Sequence, residues 1–330
     1  MINTSEKEKA YINEPSDELI TIRDFIRWGV TRFSEAGLFF GHGSDNALDE
    51  SFHLVFQALN LPWDMPESYQ GASLTTRERT LVTDLIGRRI VERKPLAYLF
   101  GQAWFCGRSY YVDERVLIPR SPIAELINHR FQPWLGNTTV TRILDLCSGS
   151  GCIGIAAAHE FEQANVDLLD ISSDALEVAH INIERHELFG RVKAIKSDLF
   201  EVLTTTNDKP KYQLILSNPP YVDKKDINDM PDEFRHEPAL GLVAGSDGLD
   251  YARIILSMAA DFLTEDGFLV LEVGNSQEAL KKIYPDVSFI WPEFEQGGHG
   301  VLMLSAADCL AYNGLFNVHT NKITGNEGRR

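Results

Sequence analysis

The sequence predicts an α/β domain with a mostly parallel sheet, preceded by a small helical domain. Three observations lead to this reading. The first hundred residues place apolar side chains at helical spacing and show no strand alternation. From residue 142 onward, short apolar runs alternate with helical stretches, the mark of a parallel sheet covered on both faces. The last two apolar runs, 287–291 and 300–304, are joined too closely for a helical crossover, so they predict an antiparallel pair and one reversed edge strand.

In the first part, Leu19, Ile22, Phe25, Ile26, Gly29, Val30 and Phe33 fall on one helical face. A second helix is expected over 45–59 from Leu48, Phe52, Val55, Phe56 and Leu59, and a further one over 75–93 from Leu81, Leu85, Ile86 and Ile90. Gly41-His42-Gly43, Pro62 and Pro66 punctuate them. Aromatic and β-branched runs at Trp104-Phe105-Cys106, Tyr110-Tyr111-Val112 and Val116-Leu117-Ile118, broken by Gly107, predict a β-hairpin linker. The expected division is 1–103 helical, 104–120 hairpin, 121–315 α/β, and 316–330 a polar, frayed tail. Within the α/β part, strands are expected at 142–146, 166–170, 192–195, 212–216 and 268–273, with helices after the first, over 173–186 and over 248–263.

Composition removes several classes. Hydrophobic residues make up 44% and charged residues 24%, which suits a globular chain rather than a disordered one. No apolar run approaches the roughly 20 residues that span a bilayer, and residues 1–13 lack the apolar stretch of an export signal. Cys106, Cys147, Cys152 and Cys309 form no CxxC pair, so they read as reduced cytoplasmic thiols, not as a metal site or disulfide framework. Net charge is −17; residues 1–110 carry 12 basic and 15 acidic side chains, leaving 19 basic and 33 acidic in the remainder. An acidic α/β half disfavours a long nucleic acid and suits a basic protein partner, although acidity also serves solubility alone.

The chemistry is carried by two motifs. Asp145-Leu146-Cys147-Ser148-Gly149-Ser150-Gly151 follows the first α/β strand and opens a helix, as phosphate- or nucleoside-binding loops do. Asp170, at the end of the next strand, stands where a carboxylate grips a ribose diol. Such a pair is shared by dinucleotide and S-adenosyl-L-methionine (AdoMet) sites. Asp198, ending the third strand, either accepts from an adenine amino group or caps the next segment.

The deciding element is Ser217-Asn218-Pro219-Pro220-Tyr221, at the carboxyl end of the fourth strand, where open α/β sheets bind ligands. Two prolines stop the strand and free carbonyls from the ladder. Asn218 Oδ1 and the Pro219 carbonyl suit the two donors of a planar NH2 group, and the Tyr221 ring suits packing on a flat acceptor.

These residues resemble the N5-glutamine methyltransferases of the HemK/PrmB type. Pro95-Leu96-Ala97-Tyr98-Leu99-Phe100-Gly101, Phe105, Gly107 and Val116-Leu117-Ile118-Pro119-Arg120 are similar to that family's hairpin region, and the likeness runs over about 75–305. After Pro119-Arg120 the release-factor branch has Pro-x-Thr-Glu; this chain has Ser121-Pro122-Ile123-Ala124-Glu125-Leu126 and Cys147 in place of a glycine, and so resembles the ribosomal-protein branch. The resemblance implies a class I AdoMet-dependent fold, with AdoMet held by Asp145, Cys147, Ser148, Gly149, Ser150, Gly151, Asp170, Asp198, Leu199 and Asn218. It implies Asn218, Pro219, Pro220 and Tyr221 as the catalytic group, and as acceptor a glutamine of the third large-subunit ribosomal protein, recognised with help from the helical domain. Leu199 stands where the family often has an aromatic beside adenine. Rival readings are release-factor methylation, N6-adenine methylation in nucleic acid, a nicotinamide oxidoreductase and a non-catalytic AdoMet sensor. No general base is evident, and Tyr221 is expected to act through its ring rather than its hydroxyl.

Overall fold

The computed structural model describes residues 18–206, 208–222, 230–245, 247–295 and 297–324, with side chains through 318. The reading of residues 1–13 lies outside these. The chain forms two compact units: Met1–Gln102 together with Pro231–His236, and Ala103–Met230 together with Glu237–Arg330.

The first unit is built from helices α1 (Ile22–Glu35), α2 (Ala47–Ala58), α3 (Thr76–Glu92) and the short α4 (Leu96–Phe100). Thr21 with Asp24 and Thr75 with Glu78 close reciprocal capping boxes on α1 and α3, so free N–H groups at both helix starts are met locally. Phe25, Phe33, Leu54, Val55, Phe56 and Ile86 are fully buried between the helices. Leu48 and Leu81, expected on the apolar stripes, are exposed instead. Leu48 sits in the first turn of α2, and on α3 the buried position is the adjacent Val82, about 100° round the helix.

A buried ionic knot ties this unit together. Arg89 on α3 is almost fully buried; its Nε donates to Glu50 Oε1 (2.5 Å), its Nη1 to Glu233 Oε1 (3.3 Å) and its Nη2 to the Phe39 carbonyl (3.0 Å). The Phe39 N–H donates to the same Glu233 oxygen at 3.1 Å. Burial pushes the Glu50 carboxyl up in spite of Arg89. Glu233 is distant in sequence, and only the fold brings it here. Removing one partner of a buried ion pair leaves uncompensated charge. Arg89→Ala is therefore expected to lower the unfolding free energy by about 3–5 kcal/mol in chemical denaturation; a variant as stable as the parent would show that the knot contributes nothing.

The second unit starts with a hairpin, β1 (Ala103–Phe105) against β2 (Arg108–Tyr110). Val116-Leu117-Ile118 adds no strand. A short helix α5 (Ile123–Asn128) leads into β3 (Arg142–Leu146), α6 (Cys152–Glu160), β4 (Asn165–Asp170), α7 (Ser173–Arg185), β5 (Val192–Lys196), a single turn α8 (Glu201–Thr204) and β6 (Tyr212–Ser217). After α9 (Asp250–Met258) come β7 (Leu263–Glu272), α10 (Gln277–Ile283), β8 (Val301–Ser305), α11 (Ala306–Ala311) and α12 (Asn313–Thr324). The six-stranded sheet has the order β5-β4-β3-β6-β7-β8; all neighbours are parallel except β7 and β8. This is the class I methyltransferase arrangement. Residues of α5, α6 and α7 cover one sheet face, and residues of α9, α10 and α12 the other.

Two expectations need correction. The run 287–291 forms no strand, only the isolated bridge of Ile290 with Met303. Its apolar residues serve the core instead: Val287 is buried, and Phe289 and Trp291 pack against the cluster that includes Leu280 and Tyr284. The region after 316 is not frayed from its start. It continues α12, whose Phe316 is fully buried against Tyr284 and Tyr312; residues 325–330 lie outside the described set.

Candidate active site

Order reverses in the sheet between β3 and β6, so their carboxyl ends open a crevice. Leu146 and Ser217 are directly paired there, and Ser217 Oγ donates to the Leu146 carbonyl at 2.9 Å. Cys147 and Asn218 each follow by one residue. The structure thus brings both sequence motifs to one edge.

The loop after β3 is shaped around Asp145. Its carboxylate is fully buried, and Oδ2 accepts the Gly154 N–H at 2.8 Å. A Cβ at Gly154 would lie 2.2 Å from Leu168 Cδ2 and 3.0 Å from Asp145 Oδ2, so only glycine lets α6 pack this closely. Burial, with the nearby Asp170 charge adding to it, pushes the Asp145 carboxyl up to about 8. Asp145 Oδ1 and Ser148 Oγ are buried with no hydrogen-bond partner among the described residues. Buried polar atoms left unmet are costly, and a ligand bearing donors would satisfy both. Cys147, at φ +58, carries the loop through a left-handed position. Burial and the surrounding carboxylates hold its thiol well above the usual range, against a redox role.

Asp170 is also part of the loop's architecture. Its Oδ2 accepts the Gly149 N–H and its Oδ1 the Ser172 N–H, both at 2.8 Å. Burial raises its carboxyl above the ordinary value even so. In the next loop the Ser197 hydroxyl accepts the Val202 N–H at 3.1 Å, and Asp198 is half-buried beside it. Leu199 is buried at φ +48 and belongs to the sheet's apolar core.

Beyond β6, Pro219 and Pro220 are buried and Asn218 is half-buried, its side-chain amide without a hydrogen bond among the described residues. Tyr221 lies over Gly274, where a Cβ would come within 2.5 Å of the ring; the positive φ of +47 also calls for glycine. The Tyr221 hydroxyl donates to Glu272 Oε1 at 3.1 Å. The expectation of a role for the ring alone thus omits a buried hydroxyl partner. Val222 then pairs with Val243 in a short parallel bridge that pins the exit.

The family model described as the methyltransferase small domain matches residues 130–238, from before β3 to beyond the Asn-Pro-Pro-Tyr turn. A Francisella tularensis protein, ribosomal protein uL3 glutamine methyltransferase, is 47% identical over 97% of this chain and 99% of its own length. The Neisseria gonorrhoeae protein of the same name is 48% identical over 88% of this chain and 96% of its own. The chain belongs to the uL3 glutamine methyltransferase family. Among solved structures, a methyltransferase from Pyrococcus furiosus is 19% identical, covering 66% of this chain and 96% of that one at a TM-score of 0.41.

As in this family, the methyl donor is AdoMet; the unmet Asp145 Oδ1 and Ser148 Oγ would suit a cationic ligand end such as its ammonium. Among the described residues no group of His, Cys, Asp and Glu is placed to hold a metal, and no helix is long and apolar enough to cross a membrane. The sequence reading missed Glu272 and Glu237, both buried near Tyr221 of the Asn-Pro-Pro-Tyr turn. Glu272 carried a signal, the one carboxylate within the apolar run 268–273.

The Asp145 environment yields a pH test. Its folded pKa of about 8 lies above the ordinary 3.8, so the folded state retains a proton that the unfolded chain has lost across that window. Stability should therefore fall as pH rises from about 5 to about 8.5. Thermal melts of Asp145→Asn are expected to show a shallower fall, and AdoMet should flatten the parent's slope by placing a cation on the carboxylate. An unchanged slope in Asp145→Asn would exclude this residue as the titrating group.

Proposed function

We propose that the chain transfers the methyl group of AdoMet to the side-chain amide nitrogen of a glutamine in ribosomal protein uL3. The observation carrying this is the Asn218 amide, without a hydrogen bond among the described residues, at the carboxyl end of the central strand beside the glycine loop. The names of both relatives support the acceptor. An acidic α/β half favours a basic ribosomal protein over a long nucleic acid, and a ribosomal acceptor fits a cytoplasmic enzyme.

AdoMet would be held by Asp145, Cys147, Ser148, Gly149, Ser150 and Gly151, with Asp170, Asp198, Leu199 and Asn218 completing the site. When bound, it supplies a methyl carbon activated by a sulfonium. An amide nitrogen is a poor nucleophile because its lone pair is shared with the carbonyl. The protein's contribution is thus to align that nitrogen. Asn218 Oδ1 and the Pro219 carbonyl accept its two N–H groups, which orients the lone pair and opposes positive charge growing on nitrogen. Pro220 keeps the carbonyls off the ladder, and Tyr221 walls the acceptor side.

Asn218→Ala should lower single-turnover methylation of purified uL3, at saturating AdoMet, by on the order of 10²–10³-fold. AdoMet affinity measured by calorimetry should change far less. A folded Asn218→Ala enzyme with the parent's rate would remove this turn from the chemistry. Release factors or DNA methylated faster than uL3 under matched conditions would overturn the acceptor.

A further inference from the structure

Glu272 is the last residue of β7 and is almost fully buried, yet it is not part of the amide-binding pair. Its two oxygens are taken by two hydroxyls: Oε1 accepts from Tyr221 (3.1 Å) and Oε2 from Ser121 (2.5 Å). Ser121 is itself fixed, since its Oγ accepts the Ile123 N–H at 3.2 Å at the start of α5. The nearby cation is Arg120, whose guanidinium is committed to a second buried acid: Nη1 and Nη2 donate to Glu237 Oε1 and Oε2 at 2.5 and 2.7 Å. Glu237 Oε1 also accepts the Ile118 N–H at 3.1 Å. Glu272 thus depends on two neutral hydroxyls for most of its solvation, an uncommon arrangement for a buried carboxylate.

We propose that Glu272 is a positioning residue for methyl transfer, holding the Tyr221 hydroxyl so that Asn218 and the Pro219 carbonyl keep the geometry that receives the acceptor amide. This rests on the Asn-Pro-Pro-Tyr turn being the acceptor site. The chain is fixed before that turn by the Ser217–Leu146 bond and after it by the Val222–Val243 bridge. Between them the Tyr221 ring sits on Gly274, its carbonyl accepts from Ser276 Oγ (3.3 Å), and its hydroxyl is anchored by Glu272. The ionised carboxylate accepts from both hydroxyls at once. A protonated carboxyl must itself donate, so one of the two contacts is reversed or lost.

That competition gives a readout that mere structural support would not. Burial pushes the Glu272 carboxyl up to about 7, against the opposing pull of Ser121, Tyr221 and Arg120. Among the described residues, the charged groups facing this cluster are Arg120 and Glu237. Protonation accompanies a fall in pH, so the single-turnover rate should drop as pH falls through about 7.

The experiment measures single-turnover methylation of uL3 by the full-length enzyme at saturating AdoMet between about pH 5.5 and 8.5. The variants are Glu272→Gln, Tyr221→Phe, the double variant and Asn218→Ala. Glu272→Gln is expected to lower the rate about tenfold at pH 8 with AdoMet affinity unchanged, and to lose the acid limb. Tyr221→Phe should fall similarly, and the double variant no further, because both break one contact. Should Glu272→Gln fail to fold, the parent's acid limb and its loss in Tyr221→Phe carry the test. An additive double variant, or an acid limb unchanged in Tyr221→Phe, would overturn the positioning role while Asn218→Ala still showed its large loss of rate. Parental rates in Asn218→Ala would instead overturn the acceptor site on which it rests.

Discussion

The hydrogen bond from Ser217 Oγ to the Leu146 carbonyl is the point on which the site depends. It closes the last rung between β3 and β6, the two central strands from which the sheet's order runs outward in opposite directions. Because strand register is discrete, a slip of one residue would turn the facing side chains over and separate the motifs. With the rung in place, the loop shaped around Asp145 and the turn bearing Asn218 start level with each other. Parallel pairing then points both backbones out of the same sheet edge. Donor and acceptor groups can meet without either loop being long.

What the sequence shows well is whatever local periodicity dictates. The strands at 142–146 and 212–216 read as mostly apolar runs because they are buried on both faces, and the helices of the first unit read from apolar side chains at three- and four-residue spacing. The run 287–291 is just as apolar, but propensity cannot tell a strand from a segment that seals a core edge, and the structure uses it for the latter. Glu233 and Glu272 illustrate the second limit. Their partners lie 144, 151 and 51 residues away, at Arg89, Ser121 and Tyr221. No window of spacing joins such residues. The Asn-Pro-Pro-Tyr turn is legible because its chemistry is contiguous, whereas what positions it comes from three separate segments.

The buried acids also change how the net charge is read. Counting charges suggested an acidic α/β surface for a basic partner, but Asp145, Glu237 and Glu272 are interior. They contribute to the excess without contributing to a surface. What they contribute instead is fixed geometry: each accepts from backbone, hydroxyl or guanidinium donors of the loops around it. This favours a view in which the acidity of the half reflects its internal architecture as well as its partner.

Such architecture works against stability. A carboxylate held up at about 8 or about 7 is one the fold would rather keep protonated, and at neutral pH it carries strain into the ligand-free enzyme. The two cases relax differently. Asp145 has an oxygen unmet among the described residues, and a cationic ligand end meeting it would link ligand binding to stability. Glu272 has both oxygens occupied within the protein, so its strain is not relieved by the cofactor and persists through the cycle. A buried group kept at constant cost, beside a turn that must not move, belongs with preorganisation rather than with ligand binding. That difference separates the two acids by function even though the same burial raises both.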